Sequence, residues 1–186
     1  FLTSMIVNHN IVLVCILEHT LHPSMIDEFS RRIKMKGCLH ANLGNKHIWI
    51  IWYRDFWVEL YQEGDQFITI RVAYESHCFF MKFIYGICDH LQRLLLWKSL
   101  SSFDPRDTPW FIGGNFNIIA SPGKKGRGPF PREASHGFNQ FMMGKGLLLL
   151  VFRVINLPGV TISKETIEFG AICSNAMVIY SPFPLI

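Results

Sequence analysis

Ile11-Val12-Leu13-Val14-Cys15-Ile16-Leu17 is apolar at every position and rich in β-branched side chains. A strand sends successive side chains to opposite faces, so an unbroken apolar run of strand length needs cover on both sides. The fold is therefore expected to be layered, with this strand central. The run stops at Glu18. That carboxylate stands either at the carboxyl end of a central strand, where ligands collect in open α/β sheets, or in a solvated loop. Pro23 then opens a helix with Asp27 and Glu28 early, an apolar stripe of Met25, Ile26, Phe29 and Ile33, basic residues late, and Gly37 as its stop. This helix would cover one face of the sheet. Its basic end complements the helix dipole or contacts phosphate.

Residues 38–86 change texture, to short aromatic and β-branched runs broken by turns at Leu43-Gly44-Asn45-Lys46 and Glu63-Gly64-Asp65-Gln66. Residues 47–53, 56–62, 67–74 and 78–85 each read as strands, with loops short enough for an antiparallel meander. In the third, Ile68, Ile70 and Val72 share a face opposite Thr69 and Arg71, as expected where one face meets the core. Trp49, Trp52 and Trp57 are either core or a base-stacking platform.

The fourth run ends in Tyr85, and Asp89 then caps a helix carrying Leu91, Leu94, Leu95 and Leu100. A polar connector, 101–109, leads into Trp110-Phe111-Ile112-Gly113-Gly114-Asn115-Phe116-Asn117-Ile118-Ile119. The order is strand, helix, strand. Paired glycines permit backbone conformations and close approaches that a β-carbon blocks, and Asn115 and Asn117, two apart, can face the same way. The segment reads as a strand with a simple Asn-Gly turn, or as a site at a strand end. Beyond it lies a Gly/Pro loop bearing Lys124, Lys125, Arg127 and Arg132, suited to backbone-phosphate contact or simply solvated. Ser135 is expected to cap a helix with Phe138, Phe141 and Met142 inward, and 147–151 returns as a strand. After Phe152 these signals fade. The chain thus divides into a domain over 1–151 and a divergent tail of unknown structure over 152–186, which ends in Ser181-Pro182-Phe183-Pro184 with no final structural element.

At 186 residues, 49% of them hydrophobic, the chain can bury a core without staples and is not expected to be disordered. Mean hydropathy is +0.22, but the apolar runs fall far short of the ~18 residues that cross a bilayer, so no membrane partner is expected. Phe1 is followed by no basic region and is not an initiator Met, which fits a truncated or excised N-terminus rather than a signal peptide. Five cysteines without a Cys-x-x-Cys pair read as reduced thiols of an intracellular protein. The eight histidines lack zinc-ligand spacing. A net charge of +4 permits a nucleic-acid partner without demanding one. No motif for a small-molecule cofactor is present.

Several segments, taken in order, resemble the endonuclease/exonuclease/phosphatase superfamily with its DNase I-like fold, and more narrowly the endonuclease domain of plant LINE-type non-LTR retrotransposons. They are Cys15-Ile16-Leu17-Glu18, Asn45-Lys46-His47-Ile48-Trp49, Phe83-Ile84-Tyr85-Gly86, Cys88-Asp89-His90-Leu91-Gln92-Arg93, residues 110–119, and residues 128–141. The match spans roughly residues 6–150. It implies an α/β (α+β) chain, a partial two-layer β-sandwich flanked by helices, with DNA as partner and the nucleus as location. It further implies that Glu18 binds magnesium, that Tyr85 holds the scissile phosphate, and that Asn117 contacts it. The basic residues Lys124, Lys125, Arg127 and Arg132 would then meet the DNA backbone.

The chain departs from the family's Gly-Asp-x-Asn motif at Asn115, where an aspartate would orient and deprotonate the attacking water. A carboxamide has nearly the same shape but is not a base, and loss of a general base typically costs about 10²–10⁴ in rate. The family's closing Ser-Asp-His strand is also missing, since neither Asp nor His follows His136. The resemblance therefore implies a DNA-nicking phosphodiesterase by descent that is weak or inactive in this copy. The alternatives are a non-catalytic nucleic-acid-binding remnant, removal of phosphate from a small molecule, and an incomplete fold without function.

Overall fold

The computed structural model describes residues 2–8, 11–17, 19, 21–41, 48–53, 56–117, 132–145 and 147, with short backbone segments at 167–168, 171–172 and 176–180. Its elements are α1 (Leu2–Asn8), β1 (Ile11–Leu17), α2 (Ile26–Arg32) after a single 3-10 turn at Pro23–Met25, β2 (Gly37–His40), β3 (Ile48–Trp52), β4 (Trp57–Gly64), β5 (Phe67–Tyr74) and β6 (His77–Tyr85). They continue with α3 (His90–Ser102), β7 (Trp110–Asn115), α4 (Arg132–Gly144), β8 (Ile167–Glu168), β9 (Ala171–Ile172) and β10 (Ala176–Tyr180). The fold is α+β, two sheets packed face to face and flanked by helices. One sheet has the order β10-β1-β3-β2 and the other β4-β5-β6-β7-β9-β8.

The alternation of side chains along β1 explains the layering. Leu13, Cys15 and Leu17 point between the sheets, where they meet Ile48 and Ile50 of β3 and Ile68, Ile70, Val72, Met81 and Phe83 of the other sheet. Val14 and Ile16 point the opposite way, against Ile6 of α1 and Ile26 of α2, with Trp49 and Ile51 beside them. Both faces are thus covered, as an uninterrupted apolar strand requires. On the outer face of the second sheet, Ile84 and Phe67 pack with Leu96, Trp97 and Leu100 of α3 and Phe138 and Phe141 of α4.

The expected four-strand meander is split between the sheets. β4, β5 and β6 form antiparallel hairpins, but β3 pairs with β1 and β2 in the other sheet. The reason lies in composition. Ile48–Trp52 is apolar throughout and buried over its first four residues, so it takes a central place, whereas β4 carries charge and is largely open to solvent at a sheet edge. Trp49 is fully buried and Trp52 packs between the sheets, while Trp57 is 67% exposed.

Other boundaries moved for local reasons. α2 stops at Arg32 because Lys34 adopts a left-handed φ of 61°, with Lys34 N–H donating to Arg31 O and Met35 N–H to Ser30 O. That is a Schellman closure made without glycine. Gly37 instead opens β2, where a β-carbon would lie 2.0 Å from the Trp52 ring. On α3 the inward face is Leu96, Trp97 and Leu100, and Leu91, Leu94 and Leu95 are exposed. α4 begins at Arg132, so Ser135 lies inside its first turn rather than at its cap. In the tail, β10 pairs antiparallel with β1, and β9 pairs in parallel with β7 at Gly114. The strand expected over 147–151 lies outside the described residues apart from Leu147. Among the described residues, no helix is long and apolar enough to cross a membrane.

Candidate functional site

β6, α3 and β7 form a strand-helix-strand unit whose two strands are parallel neighbours, with Tyr85 level with Asn115. Parallel pairing brings two carboxyl ends to one place, which is where such sheets present ligand-binding groups. Gly114 makes the close approach work. Its φ is 139°, and a β-carbon there would sit 2.0 Å from the Ile84 carbonyl oxygen. Gly86 continues the contact, its N–H donating to the Asn115 carbonyl at 2.6 Å. A β-carbon on Gly86 would lie 2.8 Å from the Phe116 oxygen.

Asn115 is 2% exposed, and its Oδ1 accepts from the Asn117 N–H at 2.8 Å. This i to i+2 bond is an Asx turn, and it carries Asn117 into a left-handed φ of 50° that asparagine tolerates better than most residues. The Asn117 side chain donates from Nδ2 to the Gly86 carbonyl, so the two strand ends are laced together. Two further residues hold the frame. Gln66, buried in the β4–β5 turn, accepts the Ile87 N–H at 2.9 Å on Oε1 and donates from Nε2 to the Gln92 carbonyl at 2.8 Å. Arg93 reaches from the first turn of α3 and donates from Nη1 to the Asn117 carbonyl at 3.1 Å. That turn is itself fixed by Asp89, whose carboxylate accepts the Gln92 N–H at 2.9 Å.

Of the residues singled out from sequence, Tyr85, Asn115 and Asn117 come together at this strand end. Glu18, Lys124, Lys125 and Arg127 lie outside the described residues, as does the Arg132 side chain, whose backbone starts α4. Leu17, the last residue of β1, belongs to the same apolar cluster against which Tyr85 packs. In the sequence Gln66 stands out only as a turn residue and Arg93 only as part of a helix start. A polar residue in the tight turn before an apolar strand, and an arginine four after a helix cap, were the available signals.

Chemically the three residues that meet at the strand end are neutral, with the charges of Arg93 and the Asp89 carboxylate on the supporting turn of α3. The three offer carboxamides, a phenol and backbone groups, which can donate to or accept from an anionic oxygen but cannot take a proton from water near neutral pH. Magnesium is bound through one or two carboxylates with near-octahedral geometry. Tyr85, Asn115 and Asn117 bring no carboxylate to the strand end, and among the described residues no group of three or more His, Cys, Asp and Glu side chains could hold a metal ion, so these three residues do not by themselves fit magnesium.

The clearest perturbed group is elsewhere. Lys82, fully buried on the helix-covered face of β6, is pushed by desolvation from its usual pKa of 10.5 down to about 7. Its ammonium lies 4.0 Å from the centre of the Phe67 ring and 4.5 Å from that of Phe103, and donates to Gln62 Oε1 at 3.3 Å.

Compared with protein-family models and with curated proteins, the chain has no match in either.

Proposed function

We propose that this chain is a retrotransposon-derived endonuclease-like domain of the endonuclease/exonuclease/phosphatase superfamily, by descent a metal-dependent DNA-nicking phosphodiesterase and weak or inactive as it stands. The observation that carries this reading is the meeting of Tyr85, Asn115 and Asn117 at the carboxyl ends of two adjacent parallel strands. Three residues chosen from sequence for phosphate contact and water activation share one strand end, inside a two-sheet sandwich flanked by helices. Weak activity follows from the carboxamide at 115, which keeps the shape of the turn but supplies no base. Magnesium, DNA and nuclear location belong to the proposal through the resemblance alone, with Glu18 as the residue that would hold the metal.

The test is nicking of supercoiled plasmid in magnesium by the chain as it stands, Asn115→Asp, and Asn115→Asp with Glu18→Ala. The expected order is near-background nicking, a gain, and loss of that gain. Strong nicking by the unmodified chain that disappears with Glu18→Ala would overturn the inactive reading. No nicking by a folded Asn115→Asp chain, with DNA affinity insensitive to salt, would overturn the family reading.

A further inference from the structure

We propose that Arg93 is a positioning residue for this strand end, setting Asn117 through its backbone carbonyl. The proposal deepens the nuclease reading, but its first test does not depend on it. Asn117 uses three polar groups on three different partners: its N–H on Asn115 of β7, its Nδ2 on the Gly86 carbonyl after β6, and its carbonyl on Arg93 of α3. The first two bonds join strand ends to one another. Only the third ties the turn to the helix.

As a stabiliser Arg93 is a poor choice. It is half-buried, and among the described residues it makes a single hydrogen bond, to a backbone oxygen, and its buried Nε has no hydrogen-bond partner. Ordering a long side chain and desolvating an unsatisfied donor both oppose folding, so the net contribution to global stability is expected to be small. The local effect is not small. Asn117 sits at φ 50°, where its backbone has extended and right-handed alternatives, and a charge-assisted bond to its carbonyl holds the peptide in one orientation. The carboxamide of Asn117 is thereby presented beside Tyr85 and Asn115.

The test compares the full chain with Arg93→Met and Arg93→Lys by amide hydrogen exchange and urea unfolding. In Arg93→Met, exchange at the Asn117 amide is expected to quicken about tenfold to a hundredfold, the loss of one charged hydrogen bond, while β5 and β6 keep their protection. Arg93→Lys keeps one charged donor and is expected to restore most of the protection. Unchanged exchange at Asn117 in Arg93→Met, equal acceleration throughout the sheet, or a lysine variant no better than methionine would each overturn the proposal. Should Arg93→Met fail to fold, Arg93→Lys decides alone, since loss of Asn117 protection there is an overturning result and retention supports the bond. In the Asn115→Asp background, Arg93→Met is further expected to lower kcat at constant KM, with rescue by lysine. An inactive Asn115→Asp chain counts against the nuclease reading, and the exchange result still judges Arg93.

Discussion

Replacing Asn115 by Asp gives the strand-end turn a base, and its consequences can be worked from the surroundings. The carboxylate can keep the Asx turn, because Oδ1 already accepts the Asn117 N–H at 2.8 Å. The second oxygen replaces an NH₂ donor at a position only 2% exposed. Losing that donor in a buried setting costs about 1–3 kcal/mol, and desolvation adds about 1.4 kcal/mol for each unit by which the new carboxyl is raised above its unfolded value of about 3.9. The Asn117 N–H favours the ionised form and offsets part of this. We predict a net loss of roughly 1–3 kcal/mol at pH 7.

The sign of the pH dependence follows. A carboxyl whose folded pKa is raised leaves stability unaffected below its unfolded value and weakens the fold progressively as pH climbs through the folded one. Asn115→Asp should therefore nearly match the unmodified chain at about pH 4 and fall behind it by pH 7 in urea melts. Magnesium at ten times its dissociation constant would restore about 1.4 kcal/mol if it binds the folded variant. Nicking should rise by about 10²–10⁴. Equal urea midpoints at both pH values, with no response to magnesium and no gain in nicking, would refute the reasoning from burial and chemistry together.

Further outcomes follow from other parts of the structure. Because folded Lys82 releases its proton near pH 7 and the unfolded amine near 10.5, the unfolded chain binds more protons there, so stability should rise by up to about 3 kcal/mol from pH 7 to 9, above which the buried thiols of Cys15 and Cys38, held protonated by the fold, pull the other way. The ring contacts of the ammonium reduce this figure by favouring the charged form. Lys82→Met should stabilise the chain at pH 6 by roughly 2–5 kcal/mol and abolish the rise; urea melts of the unmodified chain that stay flat over this window would contradict it. Gly114→Ala places a β-carbon 2.0 Å from a backbone oxygen at φ 139° and should cost roughly 3–5 kcal/mol, whereas Gly144→Ala, with open space around it, should change stability by less than about 1 kcal/mol. Asp89→Ala removes the cap of α3 and should cost about 1 kcal/mol, seen as a lower urea midpoint with unchanged slope.

What was legible in the sequence and what was not divide along a physical line. β1, β5, β6 and β7 were legible because their patterns state burial directly: apolar throughout, alternating, or apolar into glycine. Which sheet a strand joins is set by long-range pairing, and loop length alone does not encode it. β3 therefore pairs with β1 and β2 rather than with β4, the strand that follows it in sequence. The exposed leucines of α3 show the same limit, since three of them lie on a plausible stripe and the packing chose Leu96 and Trp97. At the site, the turn residues could be read because glycine and asparagine advertise unusual backbone geometry. The clamps could not, because Gln66 and Arg93 act through atoms on other segments, and nothing in their local sequence names a partner 21 to 26 residues away. The consequence bears on Asn115 itself. Its shape role, the bond to the Asn117 N–H, needs only an acceptor, and Asn and Asp satisfy it alike. In the proposed nuclease reading the chemical role of this position needs a base, so an exchange of Asp for Asn there would keep the bond to the Asn117 N–H and remove the reactivity, separating geometry from activity at this one position.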